Sequence, residues 1–191
     1  MPYGFVPVRV PGGHPTPNSM SDYRIADDYA TNIIRGDVVA QHTDGTLIRS
    51  TASLFMVGVF WGVEYQSSVT GEVIFDSQWP AAQSIATGTI AKAYVYDDPN
   101  TVFKAEADQD STALAQTDVG ALVDITTTAG NTTVKRSGMG IDSSTVGTGS
   151  GGNFKLLNSA ELEQEYTSAS TVMDVYVLPN EHRNKAAVDG I

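Results

Sequence analysis

Four carboxylates lie close together in one short segment, residues 91–108, whose sequence is AKAYVYDDPNTVFKAEAD. They are Asp97, Asp98, Glu106 and Asp108. Paired carboxylates can act as general acid and general base, and carboxylate oxygens are the ligands that calcium prefers. The segment is therefore either the acidic edge of a catalytic or metal site, or a hairpin that happens to be acidic.

The residues around these carboxylates indicate two strands and a turn. Residues 91–96 alternate in type, with Tyr94 and Tyr96 on one face of the expected strand. Pro99, between Asp98 and Asn100, is typical of a turn. Because residues 102–107 alternate again, the sequence predicts a β-hairpin in which the carboxylates divide into turn residues and a solvent-facing row.

Calcium is the metal that this segment could hold best. Glu106, Asp108 and Asp110 stand at alternate positions of EADQDST. An EF-hand loop needs a glycine at its sixth position and a glutamate at its twelfth, and Ser111 and Thr117 fill neither role. We therefore expect no metal site.

Other motifs are equally weak. Gly147, Gly149 and Gly152 have the G-x-G-x-x-G spacing of a dinucleotide fingerprint, but no strand precedes them and no helix follows, which favours a flexible loop. A zinc triad could use three histidines, yet none pair at i, i+4 or within H-E-x-x-H. Scattered surface or core positions are expected for the three, which are His14, His42 and His182.

No residue pattern indicates an enzyme. The chain has no cysteine, which excludes disulfides and thiolate nucleophiles, and it has no G-x-S-x-G nucleophile elbow. The sequence therefore predicts no catalytic residue, no cofactor-binding residue and no metal ligand.

Composition narrows the possible partners. The chain has 191 residues, of which 41% are hydrophobic and 17% charged, and its net charge is -11. Eleven cations spread thinly disfavour nucleic acid and anionic membranes as partners. No stretch is long and apolar enough to span a bilayer, and the N-terminus lacks a signal-peptide pattern.

Alternation of residue types dominates the chain and predicts an all-β sandwich or barrel. Residues 54–65, LFMVGVFWGVEY, are apolar on both faces and indicate a central strand. Shorter strands are predicted in TGEVIFDSQWP, VGALVDITTT and NTTVKR, and a long hairpin joins NFKLLNSAELEQEY to STVMDVYVLPNEH through YTSAS. The predicted core includes Val59, Trp61, Val95 and Val175.

The chain is expected to form one domain with extensions at both ends. Residues 1–22 form an extended N-terminal arm, residues 23–182 the β-rich domain and residues 183–191 a C-terminal tail. Residues 11–22, rich in proline and glycine, are expected to pack on a neighbouring subunit rather than in the core.

Several segments in this order resemble one protein family. They are YGFVPVRVPGG, YRIADDYATNIIRGDVV, VGVFWGVEY, WPAA, AKAYVYDDPNTVFKAEAD, TDVGALVDI, RSGMGIDSST and DVYVLPNEH. Together they are similar to the capsid decoration proteins of tailed bacteriophages, also called cement or head-stabilisation proteins. The tail RNKAAVDGI extends past the closing strand that is usual in this family.

The resemblance implies a jelly-roll-like or barrel-like structural protein without catalytic residues. Its place would be the outer surface of the capsid in the virion, and its partner the major capsid protein of the phage head. Self-association is expected too, and a homotrimer suits threefold positions of a shell. The alternative is a β-sandwich glycan-binding module of lectin or adhesin type, which an exposed Trp61, Tyr65 or Trp79 near calcium-binding carboxylates would favour.

Overall fold

The fold is built almost entirely from β-strands, in a computed structural model that describes residues 2–11, 14–15, 20–108, 114–147, 151–159 and 172–185. The strands in chain order are β1 (Val6–Val10), β2 (His14–Pro15), β3 (Ser21–Ile25), β4 (Ile33–Ile34), β5 (Val38–Gln41), β6 (Leu47–Arg49), β7 (Met56–Gln66), β8 (Val73–Asp76), β9 (Gln78–Trp79), β10 (Ala91–Tyr96), β11 (Val102–Asp108), β12 (Leu122–Thr126), β13 (Gly140–Asp142), β14 (Phe154–Ser159) and β15 (Val172–Pro179). Two short 3-10 helices cover Gln116–Asp118 and Ser143–Thr145.

The strands form two large sheets that pack together. The first sheet has seven strands in the order β13-β12-β14-β15-β11-β1-β2. The second sheet has six, in the order β3-β10-β7-β5-β6 with β8 added beside β7, while β4 and β9 form a separate pair. The prediction of an all-β sandwich is therefore confirmed.

Two apolar clusters hold the sandwich together. The core between the sheets joins Phe103, Phe154 and Val175 of the first sheet to Val59 of the second. The other cluster lies on the opposite face of the second sheet, where Trp79 is fully buried. The strand β7 contributes to both clusters, as its apolar character on both faces predicted.

The two strands of the acidic segment do not form the predicted hairpin. β10 pairs with β3 and β7 in the second sheet, whereas β11 pairs with β15 and β1 in the first. The predicted turn does exist, with the amide of Thr101 donating to the carbonyl of Asp98 at 3.0 Å, but it carries the chain from one sheet to the other. The alternation of residue types specifies the face of the sheet on which each side chain lies, but it does not specify which strand pairs with which.

Val59, Val95 and Val175 are buried as predicted, but Trp61 is not. Its side chain is 38% exposed. A β-bulge lies at this position, because Val95 pairs with Phe60 while the preceding Tyr94 pairs with Gly62. Trp61 is the extra residue between these pairs, and its ring meets Tyr94 edge to face instead of entering the core.

The segment NTTVKR forms a tight turn and not the predicted strand. The amides of Thr133 and Val134 both donate to the side-chain oxygen of Asn131, at 2.9 and 3.2 Å. Asn131 and Arg136 exchange backbone hydrogen bonds across the turn, and Lys135 adopts a left-handed backbone conformation with φ 52°. Hydrogen bonds from backbone amides to an asparagine side chain stabilise a turn, and here they outweigh the strand preference of the segment.

Parts of the predicted N-terminal arm are paired into the sheets. β1 pairs with β11, and Phe5 beside it is buried. β3 begins at Ser21 and forms an edge of the second sheet, while residues 12–13 and 16–19 lie outside the described residues. Packing of the arm on a neighbouring subunit stays a prediction.

The C-terminal hairpin and tail are described in part. β14 and β15 pair antiparallel, as predicted, and the connection over residues 160–171 lies outside the described residues. After β15 the chain crosses β7, where the amide of Arg183 donates to the carbonyl of Met56 at 2.8 Å. Residues 186–191 of the predicted tail are not among the described residues.

A buried carboxylate joins the second sheet to a loop of the first. Asp37 accepts hydrogen bonds from the Ile34 amide at 2.9 Å, the Arg49 Nε at 3.1 Å and the Ser137 hydroxyl at 2.5 Å. Burial raises the pKa of Asp37, and the Arg49 guanidinium acts in the opposite direction. Arg49 also donates to the carbonyl of Thr128, in the loop that follows β12.

Replacing Asp37 by alanine should lower the free energy of unfolding by about 3–5 kcal/mol, because the buried Ser137 hydroxyl and Ile34 amide lose their acceptor and the partly buried Arg49 guanidinium lacks its counter-charge. Denaturant titration measures this loss. Asp44→Ala is the matched control, since the contacts of Asp44 with His42 and Thr46 lie on the surface, and it should shift the transition much less. In Asp37→Ala with Arg49→Leu the losses should be less than additive; full additivity would show that the two side chains do not act together.

Candidate functional site

The four carboxylates of residues 91–108 do not converge. Asp97 accepts a hydrogen bond from the Tyr23 hydroxyl at 2.9 Å, and Asp98 accepts from the Asn100 amide at 2.8 Å. On β11, Asp108 accepts from the Ser143 amide at 3.1 Å. These contacts fix turns and loop ends, which is what the hairpin interpretation expected of Asp97 and Asp98.

The candidate metal ligands and the glycine motif that were weighed from the sequence lie in separate places where they can be described. Within the described ranges, no three His, Cys, Asp or Glu side chains are grouped as metal ligands would be. Asp110 and Gly149 lie outside the described residues, and so does the side chain of His14. Gly152 leads directly into the strand β14, with no helix to receive a pyrophosphate.

The histidines occupy different environments. His42 lies on the surface, with Nδ1 3.0 Å from Asp44. His182 is fully buried beside Met56, where its Nδ1 accepts the amide of Asn184 at 3.1 Å. Among the described residues, its Nε2 is the one buried side-chain polar atom without a hydrogen-bond partner.

A cleft of about 340 Å³ lies at the corner where β1 meets the second sheet. We call it the aromatic cleft. It is lined by Tyr3, Phe5, Val6, Pro7, Arg35, Gly36, Val59, Phe60, Trp61, Tyr96, Lys135 and Arg136. None of these lining side chains is a carboxylate or an imidazole, the groups that most often act as general base.

Trp61 is held rigidly at the mouth of the aromatic cleft. The guanidinium carbon of Arg35 lies 4.7 Å from the centre of the Trp61 ring, and its Nε donates to the Trp61 carbonyl at 2.9 Å. On its other side, Trp61 meets the ring of Tyr94 edge to face at 6.4 Å. A half-exposed tryptophan fixed by two neighbours loses little entropy on binding, which suits an interaction anchor.

Cationic side chains form one rim of the aromatic cleft. Arg35 and Arg136 are exposed, and the side chain of Lys135 is 45% exposed. Lys135 contacts Asp76 at 2.6 Å, and Arg136 Nε donates to the carbonyl of Pro2 at 3.2 Å. The turn that begins at Asn131 places Lys135 and Arg136 here. This clustering is notable in a chain with a net charge of -11.

The opposite wall of the aromatic cleft is anchored by Tyr3. Its hydroxyl donates to Asp174 at 2.7 Å, and the Lys104 amino group lies 2.6 Å from the same carboxylate. Burial raises the pKa of Tyr3, and the hydrogen bond to Asp174 acts in the same direction. Tyr3 is therefore a neutral, fixed wall at every physiological pH.

The apolar surface continues from the aromatic cleft along the second sheet. Phe75 on β8 is 70% exposed, and it borders a smaller cleft together with Trp61 and Tyr94. We call these three residues the aromatic face. The Tyr94 hydroxyl donates to Glu64 at 2.7 Å, which fixes the ring. Aromatic residues and arginine are the types enriched at the centres of protein interfaces.

Sequence reasoning missed most of this site. It placed Trp61 in the core and gave no role to Arg35, Lys135 or Arg136, which come from distant parts of the chain. One usable signal was Gly62 directly after Trp61, because glycine within a strand often marks a bulge. A Cβ at Gly62 would lie 2.9 Å from the carbonyl oxygen of Asp76.

The chain was compared with known proteins at the levels of family, sequence and structure. No family model, no curated protein and no solved structure is significantly similar to it. In the part of the chain that the structure describes, no helix has the length and apolar character needed to cross a membrane.

Trp61→Ala should cost about 1–2 kcal/mol of stability, because the change removes one cation–π contact and one ring–ring contact from a half-exposed side chain. A fully buried aromatic would cost about 3–5 kcal/mol. The chain has two tryptophans, and Trp79 is fully buried. Acrylamide should therefore quench a wild-type emission component that is missing from Trp61→Ala; equal quenching of both proteins would contradict the exposed position.

The burial of His182 predicts a pH dependence of stability. Burial lowers the pKa of His182 to about 4, with the charge of Lys185 acting in the same direction. The unfolded chain protonates this ring near pH 6.5 and the folded chain only near pH 4, so stability falls as the pH drops below 6.5. The loss between about pH 6.5 and about pH 5 should be about 2 kcal/mol.

Denaturant titration of wild type and His182→Gln over this pH range measures the effect. The variant should show a flatter dependence, because glutamine carries no titrating group. His42→Gln, at a surface histidine, should keep most of the wild-type slope. An identical slope in wild type and His182→Gln would assign the acid sensitivity to other groups.

Proposed function

We propose that this protein is a non-enzymatic capsid decoration protein that binds the outside of an icosahedral phage head and stabilises the shell. The observation that carries the proposal is the aromatic face beside a cationic rim, on a β-sandwich that is otherwise strongly acidic. The ordered segments that resemble phage cement proteins supply the identity of the partner, the major capsid protein.

The described site favours binding over catalysis. Its fixed groups are aromatic rings and cations, namely Trp61, Tyr94 and Arg35, and a carboxylate behind its wall, Asp174, is engaged in a structural contact with Tyr3. Such a surface can anchor a partner but offers no nucleophile with an adjacent base. A structural role needs nothing more than this.

Shell stabilisation would follow from linkage. A protein that binds the assembled shell and not the separated subunits shifts the equilibrium towards assembly by its binding free energy. Many equivalent sites on one shell multiply the effect, and a homotrimer would engage several capsid subunits at once. The proposed location is the outer surface of the virion.

A glycan-binding module is the second candidate, and one observation favours it. Trp61 is exposed in a cleft beside Arg35, as a sugar-stacking residue would be. The other two aromatic residues expected at such a site are buried, with Tyr65 4% and Trp79 0% exposed. The structural role accounts for more of the surface, because it also uses Phe75.

The proposal is tested by cosedimentation with shells assembled from the major capsid protein that is encoded with this chain. The purified protein should pellet with intact shells, stay in the supernatant with dissociated capsid subunits, and raise the temperature at which the shells fall apart. Absence of pelleting at low and physiological salt, together with binding to immobilised oligosaccharides, would replace this function by the glycan-binding alternative.

A further inference from the structure

The aromatic cleft has an apolar surface and cationic side chains next to each other, and one class of ligand can bind to both. We propose that it binds an extended acidic peptide segment of a partner protein, with an apolar side chain against Trp61 and carboxylates on the rim formed by Arg35 and Lys135. The inference rests on the proposed function only in taking the shell protein as the source of that peptide.

Arg35 supplies the first argument for a carboxylate. Its Nε is committed to the Trp61 carbonyl and its guanidinium carbon lies over the Trp61 ring, so its position is set before any ligand arrives. Among the described residues, no carboxylate lies within ion-pair distance of Arg35. A fixed guanidinium offers paired N–H donors that match a carboxylate.

Lys135 supplies a second cation on the same rim. Its amino group is within 2.6 Å of both carboxylate oxygens of Asp76, but its side chain is 45% exposed. Because the lysine side of this pair faces solvent, water screens the pair and the amino group is open to a carboxylate of a ligand. Two cations of different geometry along one rim favour a ligand that carries more than one negative charge.

The shape of the aromatic cleft favours side chains of a peptide over strand addition. Its volume of about 340 Å³ is at the small end of ligand pockets, and it continues into the aromatic face. Pro7 on the β1 wall has no amide to donate, which weakens that edge as a template for another strand. Recognition therefore depends on side chains packing against Val6 and Trp61.

Charge complementarity makes the site selective. A net charge of -11 repels acidic partners over most of the surface, so an acidic peptide is held where Arg35 and Lys135 reverse the local sign. Repulsion elsewhere favours one placement, because an acidic segment bound at another site does not meet two cations beside an exposed tryptophan. Binding should also weaken as salt rises, since exposed charges are screened.

The test uses the full chain and a fluorescein-labelled peptide, acetyl-Asp-Phe-Asp-Leu-Glu-amide, followed by anisotropy at low salt. Wild type should bind it in the micromolar range, and Arg35→Gln and Trp61→Ala should each weaken binding at least tenfold. The matched controls are Arg24→Gln, at an exposed arginine on β3, and Phe55→Ala, at a 43% exposed aromatic outside the cleft. Both should bind within twofold of wild type.

A peptide with lysine in place of its acidic residues separates charge recognition from apolar adhesion. It should bind at least tenfold more weakly than the acidic peptide. Equal binding of the two peptides, equal binding by Arg35→Gln and wild type, or saturable binding of oligosaccharides in place of the peptide would each overturn the inference. Far-ultraviolet circular dichroism confirms that every variant is folded.

Cosedimentation with shells separates this inference from the proposed function. If wild type pellets with shells and both Arg35→Gln and Trp61→Ala do not, both ideas are supported. If all three proteins pellet equally, the decoration function stands and the aromatic cleft is not its docking site. If no protein pellets but the peptide shows the expected variant pattern, the cleft is a peptide site on a protein with another function.

Discussion

The structure depends on one buried carboxylate that connects its two sheets. Asp37 receives the Ile34 amide, the Arg49 guanidinium and the Ser137 hydroxyl, three groups from separate parts of the chain. A buried charge is tolerated only where hydrogen bonds and an opposite charge compensate for its lost hydration. This requirement fixes the second sheet against the loop after β12, because Arg49 also holds the carbonyl of Thr128 in that loop.

The aromatic cleft follows from the same constraint. Arg35 and Gly36 lie between Ile34 and Asp37, so the hydrogen bond that closes this turn also aims Arg35 outward. The carbonyl of Gly36 accepts the amide of Phe5 at 2.9 Å, and a Cβ at Gly4 would lie 2.7 Å from that oxygen. Only glycine allows the N-terminal segment to approach this closely. The wall and the rim of the cleft are thus positioned together.

Sequence alone predicted the local geometry of the strands well, but it predicted poorly which strands pair with each other. Alternation placed the side chains of β10 and β11 on the correct faces, since the pleat requires it, but partner choice depends on the whole sheet and joined them wrongly into a hairpin. The bulge at Trp61 and the side-chain capture of the backbone by Asn131 are single-residue events that periodicity cannot register. The rim of the cleft escaped prediction because Arg35 and Lys135 are a hundred positions apart.

The exposed aromatic face is a consequence of how far the first sheet covers the second. Along one face of the second sheet, Val59 is buried between the sheets, while Trp61 and Phe75 lie beyond the covered part. Contiguous apolar surface of this kind promotes association, and a strong net charge of one sign opposes indiscriminate association. The strong negative net charge therefore opposes indiscriminate association while Trp61 stays exposed. In the proposed docking, Arg35 and Lys135 beside it would supply the attraction for a partner of opposite charge, so that an exposed aromatic surface and a strongly acidic chain are compatible in one molecule.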